Sequence, residues 1–263
     1  MSVITSRDNP RVRRWRELAR DPRERRRQQR AMIEGEHLVL AFLQSGRKVE
    51  SLIVSKSGSD RAGFMALAAR SGTRPAVLAD SVFRAIADAG TPAGIAAEIA
   101  LPDAAFEPKT SAACVLLEGV QDPGNVGAIL RSAAAFGIGD AVLGTGCADA
   151  WSPKVLRAAM GAHFSMRIAE NADLAAVIDR FGGTVLCTVP RGGKLLAEAD
   201  LSGRIAWLFG AEGQGVSEAL AARASLKISI PMQCGTESLN VAATAAICFY
   251  EARRRISTLA ARA

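Results

Sequence analysis

The sequence predicts an α/β protein in two unequal parts: a small N-terminal α/β unit and a larger C-terminal α/β domain on a mostly parallel sheet. From residue 113 onward, short continuous apolar runs alternate with helical stretches. Strands that are apolar throughout are buried on both faces, which is the signature of a parallel sheet covered by helices. Ahead of them, residues 101–112 hold two prolines and no periodicity, and read as a linker. The charge is also asymmetric: residues 1–30 contain eleven Arg and four acids, matching the +7 of the whole chain and leaving the remainder neutral.

The elements follow in order. Asn9-Pro10 and Asp21-Pro22 punctuate the basic stretch, so residues 11–20 and 23–33 are expected to be helical. A compact unit comes next, with helices over 35–45, 61–71 and 80–88 and strands over 50–55, 75–79 and 95–99. The C-terminal strands are expected at Cys114–Leu117, Ala141–Leu143, Thr184–Thr188, Ile205–Phe209 and Leu226–Ile230. Helices are expected near 127–136, 151–161, 173–181, 215–224 and 237–256. The domains are accordingly a basic Arg-rich arm at 1–30, a small domain at 31–104 and a larger one at 105–263.

Composition excludes several classes. At 49% hydrophobic and 22% charged residues the chain is too apolar to be disordered. No run reaches about 18 apolar residues, so no transmembrane helix is expected, and the start of the chain is basic rather than apolar. Five cysteines without a CxxC read as reduced, mostly buried thiols of a cytoplasmic protein. With two His and no Cys/His pairing, no metal site is expected. The cationic arm calls for a polyanionic partner, nucleic acid or an anionic membrane. Its candidate contacts with such a partner are Arg11, Arg13, Arg14, Arg16, Arg20, Arg25, Arg26 and Arg27, with Trp15 the best candidate for base stacking on a nucleic acid. Trp151, Trp207 and His163 read as packing residues.

In a parallel sheet, ligands bind beyond the carboxyl ends of the strands. Three loops are placed there. The first, Leu116–Ser132, runs through Gly119, Asp122-Pro-Gly-Asn125 and Gly127 into a helix carrying Arg131. Its glycines allow close backbone approach, its helix start favours an anion, and Asn125 is expected to cap the helix. The second, Leu208–Ser217, brackets Glu212 with Gly210, Gly213 and Gly215, in a spacing that fits neither a dinucleotide fingerprint nor a Walker A loop. The third, Ile228–Ala243, has Pro231 ending the strand and Gly235 in the loop; Thr236, Glu237 or Ser238 is then expected to cap the last helix. That places Asn240 inside an apolar helix, where its side chain needs partners, as a ligand or a loop clamp. The helix is apolar almost all round from Leu239 to Tyr250, which implies packing on several sides, a second subunit among them. Taken singly, each loop reads equally as an ordinary capped or glycine-rich turn.

Together, the three loops resemble the SpoU family of RNA ribose 2′-O-methyltransferases. The resemblance rests on Asp122-Pro-Gly-Asn-Val-Gly with Arg131, on Phe209-Gly-Ala-Glu-Gly-Gln-Gly215, and on Ile230-Pro-Met with Ser238-Leu-Asn-Val241, in that order, over residues 113–256. Ser6–Pro10, Glu34–His37 and Thr91–Ile95 are similar to stretches of the small substrate-binding domain of the ribosomal-protein-L30 type; position 93 is Ala where the pattern leads one to expect Gln. The resemblance implies a deep trefoil knot, a homodimer through the C-terminal domain, and S-adenosylmethionine as methyl donor with no metal. It implies cofactor contacts at Gly210, Ile230, Leu239, Gly215 and Met232, and an active site containing Asn125, Arg131, Glu212, Ser238 and Asn240. Arg131 is the base the family suggests, but a guanidinium does not lose its proton in proteins. It is better read as binding the adjacent phosphate and stabilising the developing alkoxide. Glu212 has two readings, a loop scaffold or a direct catalyst. The expected substrate is 23S ribosomal RNA, with transfer RNA second and a non-catalytic RNA-binding or ribosome-assembly role as the alternative class.

Overall fold

A computed structural model describes residues 2–102 and 112–260, so most of the expected linker (103–111) lies outside the described residues. The chain divides into two compact units: the described part of Met1–Asp103 together with Trp151–Phe164, and the described part of Ala104–Ala150 with Ser165–Ala263. No described helix is long and apolar enough to cross a membrane.

The first unit is built on a four-stranded sheet of β1 (Arg30–Glu34), β2 (Ser51–Ser55), β3 (Ala76–Leu78) and β4 (Ile95–Ala100), in the order β1-β4-β2-β3. Its helices are α1 (Pro10–Arg20), α2 (Pro22–Gln28), α3 (Glu36–Gln44), α4 (Ala62–Ser71) and α5 (Asp80–Ile86). Two expectations are corrected here. Residues 23–33 are not one helix, because Gln29 takes a left-handed conformation (φ 52°) that ends α2, and β1 follows at once. Helix formers at 28–33 had hidden a strand that antiparallel pairing with β4 imposes. Residues 1–30 are also not a separate solvated arm. Val12, Trp15, Leu18 and Ala19 of α1 are buried in one core with Met32, Ile53, Leu78, Phe83 and Ile86.

The second unit carries a seven-stranded sheet of β5 (Ala113–Leu117), β6 (Asp140–Gly144), β7 (Arg167–Ala172), β8 (Thr184–Thr188), β9 (Lys194–Leu195), β10 (Ile205–Phe209) and β11 (Leu226–Ser229). Their order is β7-β6-β5-β10-β8-β11-β9, and every pairing is parallel. The helices are α6 (Pro123–Ala135), α8 (Leu174–Phe181), α9 (Glu218–Ala221) and α10 (Val241–Ala260); α7 (Pro153–Ala159) lies in the segment that groups with the first unit. Side-chain alternation explains why β10 is apolar at every position. Ala206 and Leu208 face the core that includes Val177 and Phe181 of α8, while Trp207 and Phe209 meet Phe249 of α10 edge-on at 6.1 and 5.7 Å. Trp151, Trp207 and His163 are all buried, as expected, and the rings of Trp151 and His163 lie 5.0 Å apart.

Candidate active site

Each of the three loops leaves the carboxyl end of a parallel strand, and each is tied to another by a side chain. The first loop leaves β5. Asp122 caps α6 by accepting from the Asn125 N–H at 2.8 Å, with Pro123 in the first turn. Asn125 is therefore not the cap, contrary to expectation. Its side chain is released to point outward from the first turn.

The second loop leaves β10 as a closed turn. The Gly215 N–H donates to the Ala211 carbonyl at 2.9 Å, and the two residues form an antiparallel bridge. A Cβ on Gly210 would lie 2.0 Å from the Gly215 carbonyl carbon, so only glycine permits that closure. The turn presents Glu212 to the first loop. Its Oε1 accepts from Asn125 Nδ2 at 2.7 Å, and its Oε2 from the Gln121 N–H at 3.4 Å.

The third loop leaves β11 and ends at Asn240, which is not inside a helix. It is the cap of α10, its Oδ1 accepting from the N–H groups of Ala242 and Ala243 at 2.9 and 3.2 Å. None of Thr236, Glu237 and Ser238 fills that role, because α10 starts three residues later than Ser238. With Oδ1 so engaged, the Asn240 amide must turn its Nδ2 elsewhere, and it donates to Asn125 Oδ1 at 2.9 Å. The amide orientations then follow from one another. Asn240 donates to Asn125, Asn125 donates to Glu212, and an ionised carboxylate only accepts.

Burial pushes the Glu212 carboxyl up, but the Asn125 amide and the backbone N–H groups of Gln121 and Asp122 outweigh it. The carboxyl stays below its ordinary value and ionised at neutral pH. A second tie runs the other way: Glu118, directly after β5, accepts from the Ser217 N–H at 2.7 Å. Glu118 was not singled out from the sequence, although a carboxylate at a parallel strand end inside the first motif was a visible signal.

Beside this clamp lies a cavity of about 320 Å³, a size suited to a small ligand or cofactor. Gly210, Gly215, Ile230, Met232 and Leu239 all line it, as do Glu212, Ser238 and Asn240. Thr188, Val189 and Pro190 form a further wall. The sequence reading had passed over that loop, although it too follows a parallel strand. Arg131 does not line the cavity. It is exposed on α6 and makes no hydrogen bond or ion pair among the described residues.

The arginines of the N-terminal stretch divide sharply. Arg25 is 3% exposed and donates to the Leu18 carbonyl at 2.6 Å, so it is an internal brace and not a surface contact. Arg14 is bound to Glu98 and to Gln28, and Arg27 to Glu24. Arg11 lies 4.9 Å over the Trp15 ring. Trp15 is 1% exposed, with its Nε1–H donated to Glu98 at 2.9 Å. It cannot stack on a base while α1 is docked. Arg13, Arg16, Arg20 and Arg26 remain at least partly open to solvent.

Comparison with known proteins adds the following. The model of the SpoU rRNA Methylase family matches residues 112–250, and that of an MRM3-like substrate binding domain matches residues 9–97. A 23S rRNA (guanosine(2553)-2′-O)-methyltransferase, RlmP, of Bacillus subtilis is 34% identical over 256 residues, covering 96% of this chain and 100% of its own length. Among solved structures, a putative RNA methyltransferase of the TrmH family from Porphyromonas gingivalis is 34% identical with a TM-score of 0.80, covering 94% of this chain and 98% of that one. An AdoMet-bound rRNA methyltransferase from Sinorhizobium meliloti is 28% identical with a TM-score of 0.82, covering 97% and 98%.

Proposed function

The chain belongs to the SpoU rRNA methylase family, and from that membership we propose that it transfers a methyl group from S-adenosylmethionine to a ribose 2′-hydroxyl of ribosomal RNA. The observation that carries the proposal is the clamp of Asn125, Glu212 and Asn240, which ties three strand-end loops together beside a cavity lined by the second and third of them. Ribosomal rather than transfer RNA is favoured because the full-length Bacillus subtilis relative is named for 23S rRNA.

The cavity fits the donor on its own evidence. It is lined by backbone at Gly210 and Gly215 and by the apolar side chains of Ile230, Met232 and Leu239, which suits a flat adenosyl group recognised by main-chain hydrogen bonds. An ionised Glu212 at its edge suits a cationic ligand. When bound, the donor supplies an electrophilic methyl group with its own leaving group, so the chain's task is alignment and proton removal. Asn125, Glu212 and Asn240 hold the loops in register, with Glu118 and Asp122 supporting them. For Glu212, the hydrogen bonds it accepts support the scaffold role of its two readings. Ser238 lies on the cavity wall, where its hydroxyl can orient the ribose. Arg131, permanently charged and uncommitted, binds the RNA phosphate beside the target ribose and stabilises the alkoxide as it forms.

Residues 2–102 form the RNA-binding part of this proposal, α1 included, and residues 112–260 the catalytic part. The homodimer and the knot belong to it as well. In support of the dimer, Ile247 and Tyr250 on α10 are 40% and 55% exposed although large and apolar.

Two measurements test the function together. Calorimetric titration with S-adenosylmethionine should show binding, and incubation with labelled donor and undermethylated ribosomal RNA should place label on a ribose 2′-oxygen. Arg131→Ala should remove methyl transfer and leave donor affinity near the wild-type value. Unchanged turnover in that variant would overturn the role of Arg131, and absence of donor binding would overturn the enzyme reading.

A further inference from the structure

We propose that the first unit grips the RNA backbone in one particular groove, formed by Arg7, Arg16, Arg20 and Arg84 between α1 and α5, and not along the basic stretch as a whole. The inference rests on the RNA-methyltransferase reading above and names where its substrate is held. The groove is open, about 280 Å³, and its remaining walls are Ser81 and Ala85. Two of its arginines come from α1, one from the segment before it, and one from α5, far away in sequence and absent from any local cluster of charge.

Three observations point to phosphate. First, no carboxylate lines the groove. The acid on α5, Asp80, takes its hydrogen bonds from Ser57, at 2.6 Å from Oγ and 3.2 Å from N. Second, none of the guanidiniums is in an ion pair among the described residues, and two of them are tethered. Arg7 and Arg20 donate to the carbonyls of Ser81 and Ala85, each at 3.4 Å, and Arg16 and Arg84 make no hydrogen bond or ion pair among the described residues. Asp80, one turn from Arg84 on α5, feels its charge but lies outside the groove lining; the four like charges gathered in the groove repel one another, and an anion relieves that repulsion. Third, the platform is rigid. The buried face of α1 is locked into the core through Val12, Trp15 and Leu18, so the helix that carries Arg16 and Arg20 needs no ordering on binding.

The occupant is a phosphodiester backbone and not a base. The lining offers guanidinium forks but neither an aromatic ring for stacking nor an amide for reading base edges. Several forks in an open groove also suit successive phosphates better than one small anion.

The test is fluorescence anisotropy of the full-length protein with a fluorescein-labelled RNA hairpin, over a series of salt concentrations, repeated with a hairpin of unrelated sequence. Arg16→Ala combined with Arg84→Ala should weaken binding to both hairpins by about tenfold and flatten the log–log salt slope by about 1.5. Arg23→Ala combined with Arg26→Ala removes the same charge from α2, outside the groove, and should change both quantities far less. Arg84→Glu alone should act in the same direction as the groove pair. If wild-type protein binds RNA and the groove variants bind it equally well, the groove is not the grip. An equal loss in the α2 pair would reduce the effect to net charge and overturn the proposal too. Absence of salt-dependent RNA binding by the wild type would overturn the functional reading beneath it.

Discussion

Asn125 is the residue on which the three strand-end loops turn, because its one amide joins the second loop to the third. Replacing it with Ala leaves the Asn240 amide without its acceptor and the Glu212 carboxylate without its side-chain donor. A hydrogen bond to a charged group contributes about 1.5–3 kcal/mol, so Asn125→Ala should slow methyl transfer by about 10- to 100-fold. Donor affinity should fall with it, since both loops line the cavity. A variant with wild-type turnover would remove the clamp from the mechanism. The Glu212 carboxyl, held down largely by that amide, should titrate at higher pH in the variant, which carboxyl-carbon NMR can follow. The identity of these residues was legible because three short motifs each placed a polar side chain at a strand end. Their partnerships were not. Asn125 was expected as a cap and Asn240 as a helix-interior residue, and only the meeting of segments 115 residues apart shows what each amide bonds.

At the scale of elements, α1 shows that a helix can be strongly basic and still be part of a core. Trp15 is buried against the sheet and donates to the buried carboxylate of Glu98, which also binds Arg14. Trp15→Ala should destabilise the first unit by about 3–5 kcal/mol, seen as an earlier calorimetric transition. Deletion of residues 1–30 should therefore unfold this unit, which makes truncation a poor probe of RNA binding; a stably folded truncated protein would contradict the docking of α1. On α10, the guanidiniums of Arg254 and Arg255 hold the Glu251 carboxyl down at about 2, against its ordinary 4.5. Arg255 in turn donates to the carbonyls of Leu196, Ala197 and Ala199 at 2.6–3.1 Å. A depressed carboxyl stabilises the fold fully above its unfolded pKa, and that contribution is lost as pH falls through the folded value. The melting-temperature difference between wild type and Glu251→Gln should thus be constant above about pH 5 and shrink from there towards pH 2. A difference unchanged over that window would show that the triad does not secure α10.

For the whole molecule, the exposed Ile247 and Tyr250 lead to the expectation of a dimer by sedimentation, converted to monomer by Tyr250→Glu with the individual fold intact. A wild-type monomer at working concentration would contradict the assembly. Sequence by itself determined the class of fold, because strands buried on both faces are apolar through their centres, as Cys114–Leu117, Ala141–Leu143, Val185–Cys187 and Ile205–Phe209 are. It determined the three loops as well, since glycine and proline act locally and mark strand ends wherever they stand. Strands β1, β7 and β9 escaped that reading for a physical reason. β1 is written in helix formers, and β7 carries Arg167, Glu170 and Asn171 because it lies at the sheet edge, where Arg167 pairs with Asp140. Tertiary structure alone decided which arginines are braces and which stay open to a ligand. Charge is a property of the residue, but its availability depends on whether a carboxylate or carbonyl from a distant segment reaches it first. Arg25 and Arg14 are engaged that way, while Arg16 and Arg84, remote in sequence, meet across a groove that only the docking of α1 on α5 creates.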